Sequence, residues 1–507
     1  MAPIADSRED TGDWREPSDP GGTRRPRFTG YPFTLGVASG APEPTSVVLW
    51  TRLAPEPLGG GGVGSGTVVV RWEMADDERF ERVVARGEVD ALAARAHCVH
   101  VDVGGLSPNR WYWYRFIAGD DVSPVGRTRT TPAIDARVDG LRFAIGSCQQ
   151  YEQGYFAAHR HLADEDLDLM LFVGDYVYES SWGVGLVRRH VGGEPRTLAE
   201  YRTRHAQYKT DPDLQRLHAA VPWLVTWDDH EVDNDYADER SEDLDPEFLT
   251  RRAAAYRAYF EHMPLRAMAR PRGPDMRLYA RCEFGTLATI HVLDGRQYRS
   301  PQACPRAGRG GSNRVGPSCE ELFREDRTML GKTQERWLAA GLREAPESWN
   351  VIAEATLTAP AAVGEGDAQR FWTDAWDGYP AARDRLLEAI EDAAAQSCLL
   401  VSGDAHTNYV CDLHRGEPAS ATLATEFCGT SITSQGRPQE QTDEIRRDNP
   451  HIHLADSSRR GYVVFDVGAE RCEARLRVVA DVRDRATGVE TLATFAVAAG
   501  RPGATRS

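Results

Sequence analysis

Short apolar runs that alternate with polar residues fill the first quarter of the chain. Ser46–Trp50, Thr67–Trp72 and Trp111–Phe116 are rich in β-branched and aromatic residues and are separated by Gly and Pro. A period of two with such punctuation predicts strands, here a small β-sandwich over 31–135. The Trp111–Phe116 strip also has the composition of a sugar- or lipid-binding surface, but its alternation fits a strand with one face in a core. Upstream, residues 1–30 lack an apolar period and are rich in Asp, Glu, Arg, Pro and Gly, which predicts a flexible arm.

From about residue 140 continuous apolar runs take over, separated by helical segments. Leu141–Ile145 predicts a buried strand, Tyr155–Leu162 a helix and Leu167–Val173 a second strand, together a β-α-β unit. Val221–Thr226 is a third strand, and Asp245-Pro246 caps a helix running to about Tyr259. Leu278–Leu293 forms two strands joined by Phe284-Gly285-Thr286. Helices near Thr333–Leu342 and Ala381–Ala394 flank a strand at Asn350–Ala353, and Cys398–Ser402 is a further strand. The pattern predicts a mixed α/β unit over 140–500, with no internal repeat.

The polar residues fall where they matter chemically. Four of these strands end in Gly146-Ser147-Cys148, Gly174-Asp175-Tyr176-Val177-Tyr178, Trp227-Asp228-Asp229-His230 and Gly403-Asp404-Ala405-His406. Carboxyl ends of strands form the ligand-binding edge of open α/β sheets. A single Asp there is usually a turn residue or cap, but repeated clusters of Asp, His and Cys point to a shared metal site. Cys148, Asp175, Tyr178, Asp228, Asp229, Asp404 and His406 are the candidate ligands. Phenolate and thiolate suit Fe(III), while the carboxylates of Asp229 and Asp404 suit Ca(II); Zn(II) or Mn(II) are alternatives. His230, beside two Asp residues, is the candidate catalytic acid; alone it would read as a hydrogen-bonded strand-end histidine. Asn234 either offers a further oxygen or forms a solvated Asx turn. Arg296 either binds phosphate or pairs with Asp294 or Glu231.

A formal net charge of −17 excludes a large non-specific nucleic-acid surface, and no nucleic-acid-binding module is expected. Bound cations would still admit a phosphorylated substrate. No apolar run of about twenty residues predicts a membrane span. Of the nine cysteines, eight remain if Cys148 is a ligand, enough for up to four disulfides. Cys304 and Cys319 bracket a Gly/Arg/Pro-rich segment that packing holds poorly and are the natural pair. Buried free thiols are the alternative, with Cys398 and Cys428 best placed. A secreted or cell-envelope location is expected, with Met1-Ala2-Pro3 read as a start placed before a mature chain. Arg24-Arg25 lacks the apolar segment of a twin-arginine signal.

The chain resembles the PhoD-like (alkaline phosphatase D) family of metallophosphoesterases. Phe33-Thr34-Leu35-Gly36-Val37-Ala38-Ser39-Gly40, Val48-Leu49-Trp50-Thr51-Arg52, the strand-end clusters above, Asp294-Gly295-Arg296, Trp376-Asp377-Gly378-Tyr379-Pro380 and Arg460-Gly461-Tyr462 carry the likeness. Relative to calcineurin-like dinuclear phosphatases, Tyr178 stands for the second Asp of G-D-x-x-D, Asp229 for the Asn of G-N-H-E and Asp404 for the first His of G-H-x-H. Gly295 stands where a Thr-like residue is commoner in the family.

The resemblance implies an N-terminal sandwich followed by a four-layer αββα calcineurin-like catalytic domain, secretion, and hydrolysis of phosphomonoesters and phosphodiesters by metal-activated water. It makes Cys148, Asp175 and Tyr178 the iron ligands, with Asp229, Asp404 and His406 completing the cluster. Length and acidity are also similar to secreted phospholipase D members, so phospholipid head groups and transient membrane-surface contact enter as substrate and partner expectations. Phe371, Trp372, Trp376 and Tyr379 would then meet lipid, or else pack the start of a helix. Two other classes compete: a non-catalytic calcium-binding surface protein, and a hydrolase with Cys148 as nucleophile and His230 or His406 as base.

Overall fold

Strands buried on both faces read as unbroken apolar runs, and three such runs make the centre of the molecule. In the structure, a computed structural model describing residues 26–345, 348–416 and 421–507, Leu141–Gly146, Leu169–Val173 and Trp223–Thr226 lie parallel. Residues 1–25, most of the expected arm, lie outside the described residues. Antiparallel strands Arg460–Val467, Arg471–Val479, Val489–Ala498 and Arg501–Arg506 extend one side, and Val37–Glu43, Ser46–Arg52 and Cys98–Gly104 the other, giving a ten-stranded sheet.

A second, seven-stranded sheet faces it. The hairpin Ala280–Phe284 and Ala288–Val292 leads to Trp349–Ala353, Cys398–Ser402 and Thr422–Cys428, which run parallel to Ala288–Val292. Phe143, Ile145, Leu171 and Val173 from the first sheet pack on Ile290, Val351, Leu399 and Val401 from the second. Helices Leu198–Lys209, Pro212–Ala220 and Phe248–His262 cover the outer face of the first sheet. Gly331–Glu344 and Pro380–Asp392 cover the second. The layers are therefore α, β, β, α, a mixed α/β fold.

The strands between Val37 and Arg129 form a sandwich that shares one sheet with this core. Its free sheet comprises Val68–Ala75, Val83–Ala91, Trp111–Ala118, Asp121–Val122 and Gly126–Arg129. Val70, Tyr114 and Phe116 from it meet Val47, Leu49 and Val101. The opposing strands are the edge of the ten-stranded sheet, joined to it where Gly40 pairs in parallel with Trp223. Tyr112, Tyr114 and Phe116 are buried, so the aromatic strip is a core strand. The Arg127 guanidinium covers the outward ring of Trp111 at 3.5 Å.

Cysteine pairing departs from the possible four disulfides. Cys304 joins Cys319, whereas Cys98, Cys148, Cys282, Cys398, Cys411, Cys428 and Cys472 are buried free thiols. Most of these sit within core strands, where a thiol packs as a small apolar group. Among the described residues no helix is long and apolar enough to cross a membrane.

Candidate metal centre

Parallel strands of both sheets end at one edge, so ligand-bearing turns distant in sequence meet there. Donor atoms of Cys148, Asp175 and His406 lie within 4.8 Å of one another, as do those of Asp175, Asp229 and His230. A third set, Asp229, Asp235 and Asp374, meets the same limit. Asp175 and Asp229 each belong to two sets, so the three adjoin. Tyr178 joins the first: its hydroxyl donates to Asp175 Oδ2 at 2.7 Å and lies 3.2 Å from His406 Nε2. Asp404 is partly accessible and lies within the electrostatic reach of Asp228 and Asp374.

Tight backbone turns aim these groups. Cys148, Asp175, Asp404 and His406 all adopt left-handed backbone, with φ of 57°, 57°, 57° and 51°. Non-glycine residues adopt that region sparingly, and such strain concentrates at functional sites. Gly174 is required before Asp175: with φ 94°, a Cβ there would lie 2.6 Å from Asp228 Cβ. At Gly403 a Cβ would collide with Ser147 Oγ. The buried Glu231 carboxylate ties two ligand turns together by accepting from the backbone N–H groups of Asp175, Tyr176 and Asp228.

The site's electrostatics favour cations. Burial raises the pKa of Asp175 well above the ordinary carboxylate range, and Asp229 and Asp228 add to it, against the opposing His230 charge. Burial likewise raises Asp404, helped by Asp228 and Asp374. Asp228 is pushed up to about 6 by burial, with Arg296 opposing. Asp175 Oδ1 and Asp228 Oδ2 are buried with no hydrogen-bond partner. Crowded, partly unsatisfied buried carboxylates are costly unless a cation compensates them. Burial and Arg460 keep His406 neutral, with a pKa near 3, as a nitrogen ligand requires. These residues fit bound metal. Cys148 is 1% exposed, and burial and Asp175 raise its thiol pKa. Burial and the Asp175 charge thus work against the thiolate that a nucleophilic cysteine needs, even with Arg460 within electrostatic reach.

His230 lies against Tyr178, ring centroids 4.2 Å apart, and its Nδ1 is 2.7 Å from Glu179 Oε2. Burial alone would lower its pKa, but Glu179, Asp229 and Asp175 outweigh that and hold the imidazolium. Arg296 is fully buried and engaged. Its Nε donates to Asp228, and its two terminal nitrogens grip Asp374 at 2.9 and 2.8 Å. The anticipated ion pair thus forms with other carboxylates than Asp294 or Glu231. Asn234 turns its amide to Glu242 at 3.0 Å.

Asp235, Asp374 and the Glu179 partnership escaped the sequence. Asp235 directly follows Asn234 and Glu179 directly follows Tyr178, so both carried a local signal. Asp374 had none, because only chain closure brings it to the site. Of the four aromatic residues, Trp376 and Tyr379 are core, whereas Phe371 is half-buried and Trp372 exposed.

Two facing sheets with adjoining oxygen, nitrogen and sulfur donors at their common edge define the architecture of a phosphoric ester hydrolase. Residues 143–476 match the PhoD-like phosphatase family and residues 19–132 its N-terminal domain, and the chain belongs to that family. It is 44% identical over 483 residues to alkaline phosphatase D of Bacillus subtilis (strain 168), covering 93% of this chain and 81% of that protein. A solved structure described as PhoD superposes with a TM-score of 0.91 at 44% identity, covering 95% of this chain and 93% of that one.

Proposed function

We propose that this phosphoesterase hydrolyses phosphomonoesters and phosphodiesters with the aid of cations held by the adjoining donor sets. Cys148, Asp175, Tyr178 and His406 form a mixed thiolate, phenolate, carboxylate and imidazole set suited to Fe(III). Asp228, Asp229 and Asp404, with Asp235 and Asp374 beyond them, form an oxygen-rich region suited to Ca(II); Zn(II) or Mn(II) are substitutes. The observation that carries this reading is that Asp175, from the thiolate-bearing set, and Asp229, from the carboxylate set, bring donor atoms within 4.8 Å of one another.

Bound cations supply electrophilic stabilisation of the phosphoryl oxygens and activate water. His230, held charged by Glu179, donates its proton to the leaving oxygen. Arg296 keeps Asp228 and Asp374 ionised and in place rather than meeting phosphate. The Cys304–Cys319 disulfide supports an oxidising, extracytoplasmic location. Exposed Trp372 supports phospholipid head groups as a specialised substrate.

Metal analysis and visible absorption of purified protein test the proposal. A phenolate-to-iron charge-transfer band is expected, lost in Tyr178→Phe. Asp175→Asn is expected to lose metal and turnover together. Full activity in a colourless, metal-free preparation would refute it. Rates on p-nitrophenyl phosphate, bis-p-nitrophenyl phosphate and phosphatidylcholine then rank the substrates.

A further inference from the structure

A cavity of about 360 Å³ opens beside the metal centre, with Asp404 and His406 on one side and Arg314, Arg370, Trp372 and Arg437 around the rest. Part of its wall is a ribbon in which Arg314–Val315 pairs antiparallel with Phe371–Trp372. Arg314 stands directly opposite Trp372, so the two side chains share a face. The Cys304–Cys319 disulfide closes the loop that carries Arg314. Asn313 N–H donates to Thr373 Oγ1 at 2.8 Å and Thr373 N–H to the Asn313 carbonyl at 3.1 Å, fixing the ribbon at its inner end.

The arginines here lack the carboxylate partners that many others in the protein have. Arg251, Arg296, Arg383 and Arg415 each meet carboxylates. Among the described residues, the side chains of Arg314 and Arg437 have no hydrogen-bond or ion-pair partner. Arg370 donates only to the backbone carbonyls of Asp367 and Gln369. Three guanidinium groups without carboxylates, around one concavity of a chain with net charge −17, form a site for an anion from outside. Trp372, 39% exposed, adds a ring face for the organic part of a ligand.

We infer that this cavity is a leaving-group subsite for a second anion, so that the preferred substrate is a phosphate ester whose alcohol carries a further phosphate or carboxylate. The inference rests on the proposed phosphoesterase centre: the scissile phosphoryl group occupies the cation sites, and the second charge meets Arg314 and Arg437.

The test compares kcat/KM for phenyl phosphate, 4-carboxyphenyl phosphate and 1,4-phenylene bisphosphate on metal-replete wild type, R314Q/R437Q and R314K/R437K. Dividing each variant's preference by the wild-type preference cancels the intrinsic reactivity of the esters. Wild type is expected to favour at least one of the two esters that bear a second anionic group over phenyl phosphate, and the two arms distinguish carboxylate from phosphate. The preference should fall about tenfold in R314Q/R437Q, through KM, because charge-assisted contacts are lost. It should be partly retained in R314K/R437K and shrink with added salt. An R314Q/R437Q preference equal to wild type, including a uniform loss on all three esters, would overturn the subsite. If wild type hydrolyses none of the three, the phosphoesterase centre itself fails and the subsite with it.

Discussion

His230 keeps its proton because the Glu179 carboxylate stands 2.7 Å from Nδ1, which makes Glu179 testable apart from the metal ligands. Glu179→Gln preserves size and removes the charge that raises the imidazole pKa. The protonated acid is then lost at lower pH, so the alkaline limb of the kcat profile should move down the pH scale. Turnover should fall by about 10²-fold, the usual scale of a positioned proton donor, while metal content stays at the wild-type level. A parallel loss of metal would instead make Glu179 part of the cation site. Gly174→Ala separates packing from chemistry at the neighbouring turn. Its new Cβ meets Asp228 Cβ at 2.6 Å on a backbone with φ 94°, so the turns that bear Asp175 and Asp228 must part. The expected outcome is reduced metal retention by elemental analysis, although no donor atom is removed.

At the scale of elements, the central strands were legible because burial on both faces leaves an unbroken apolar run. Cys398–Ser402 was read to the residue, and the clusters after it and its neighbours marked the functional edge. Other elements hid behind polar positions. Leu198–Lys209 has a Thr197/Glu200 capping box, yet it buries Arg204, His205 and Tyr208 and so lacks a clean apolar stripe. Arg471–Val479 does alternate, with Cys472, Ala474, Leu476 and Val478 inward, but its charged outer residues conceal a sheet member. Asp374 reaches the site through the ribbon braced by the disulfide loop, a contact no local pattern encodes. Ser312 N–H in that loop donates to Asp235 Oδ2 at 3.0 Å, linking the loop to the third donor set. Cys304→Ser/Cys319→Ser should therefore lower the urea unfolding free energy by up to about 3 kcal/mol, the chain-entropy figure for a loop near fifteen residues. It should also open the segment between them to protease before the rest of the chain. An unchanged cleavage pattern would show that the hydrogen bonds suffice to hold the loop.

Over the whole molecule, the sandwich and the catalytic layers are joined by more than a linker. They share a sheet, Trp50 Nε1 donates to the Glu261 carbonyl at 2.8 Å, and Arg52 Nη1 lies 3.0 Å from His262 Nε2. Lys209, at the end of its helix, is buried in this junction, its ammonium 4.4 Å from the Trp50 ring centroid and 3.4 Å from His218 Nε2. Burial lowers its pKa from 10.5 to about 7, with Cys98 opposing. Between those values the unfolded chain holds a proton that the folded protein does not, so stability from this group rises with pH across that window and levels off below it. The slope from one such proton is at most about 1.4 kcal/mol per pH unit. Lys209→Met keeps the apolar stem and removes the titration. Urea unfolding of both proteins at pH 7, 8 and 9 should show the variant more stable at pH 7, with its advantage shrinking as pH rises. A constant difference across that range would mean that Lys209 is charged in the folded junction, held there by the Trp50 and Tyr176 rings rather than neutralised by burial.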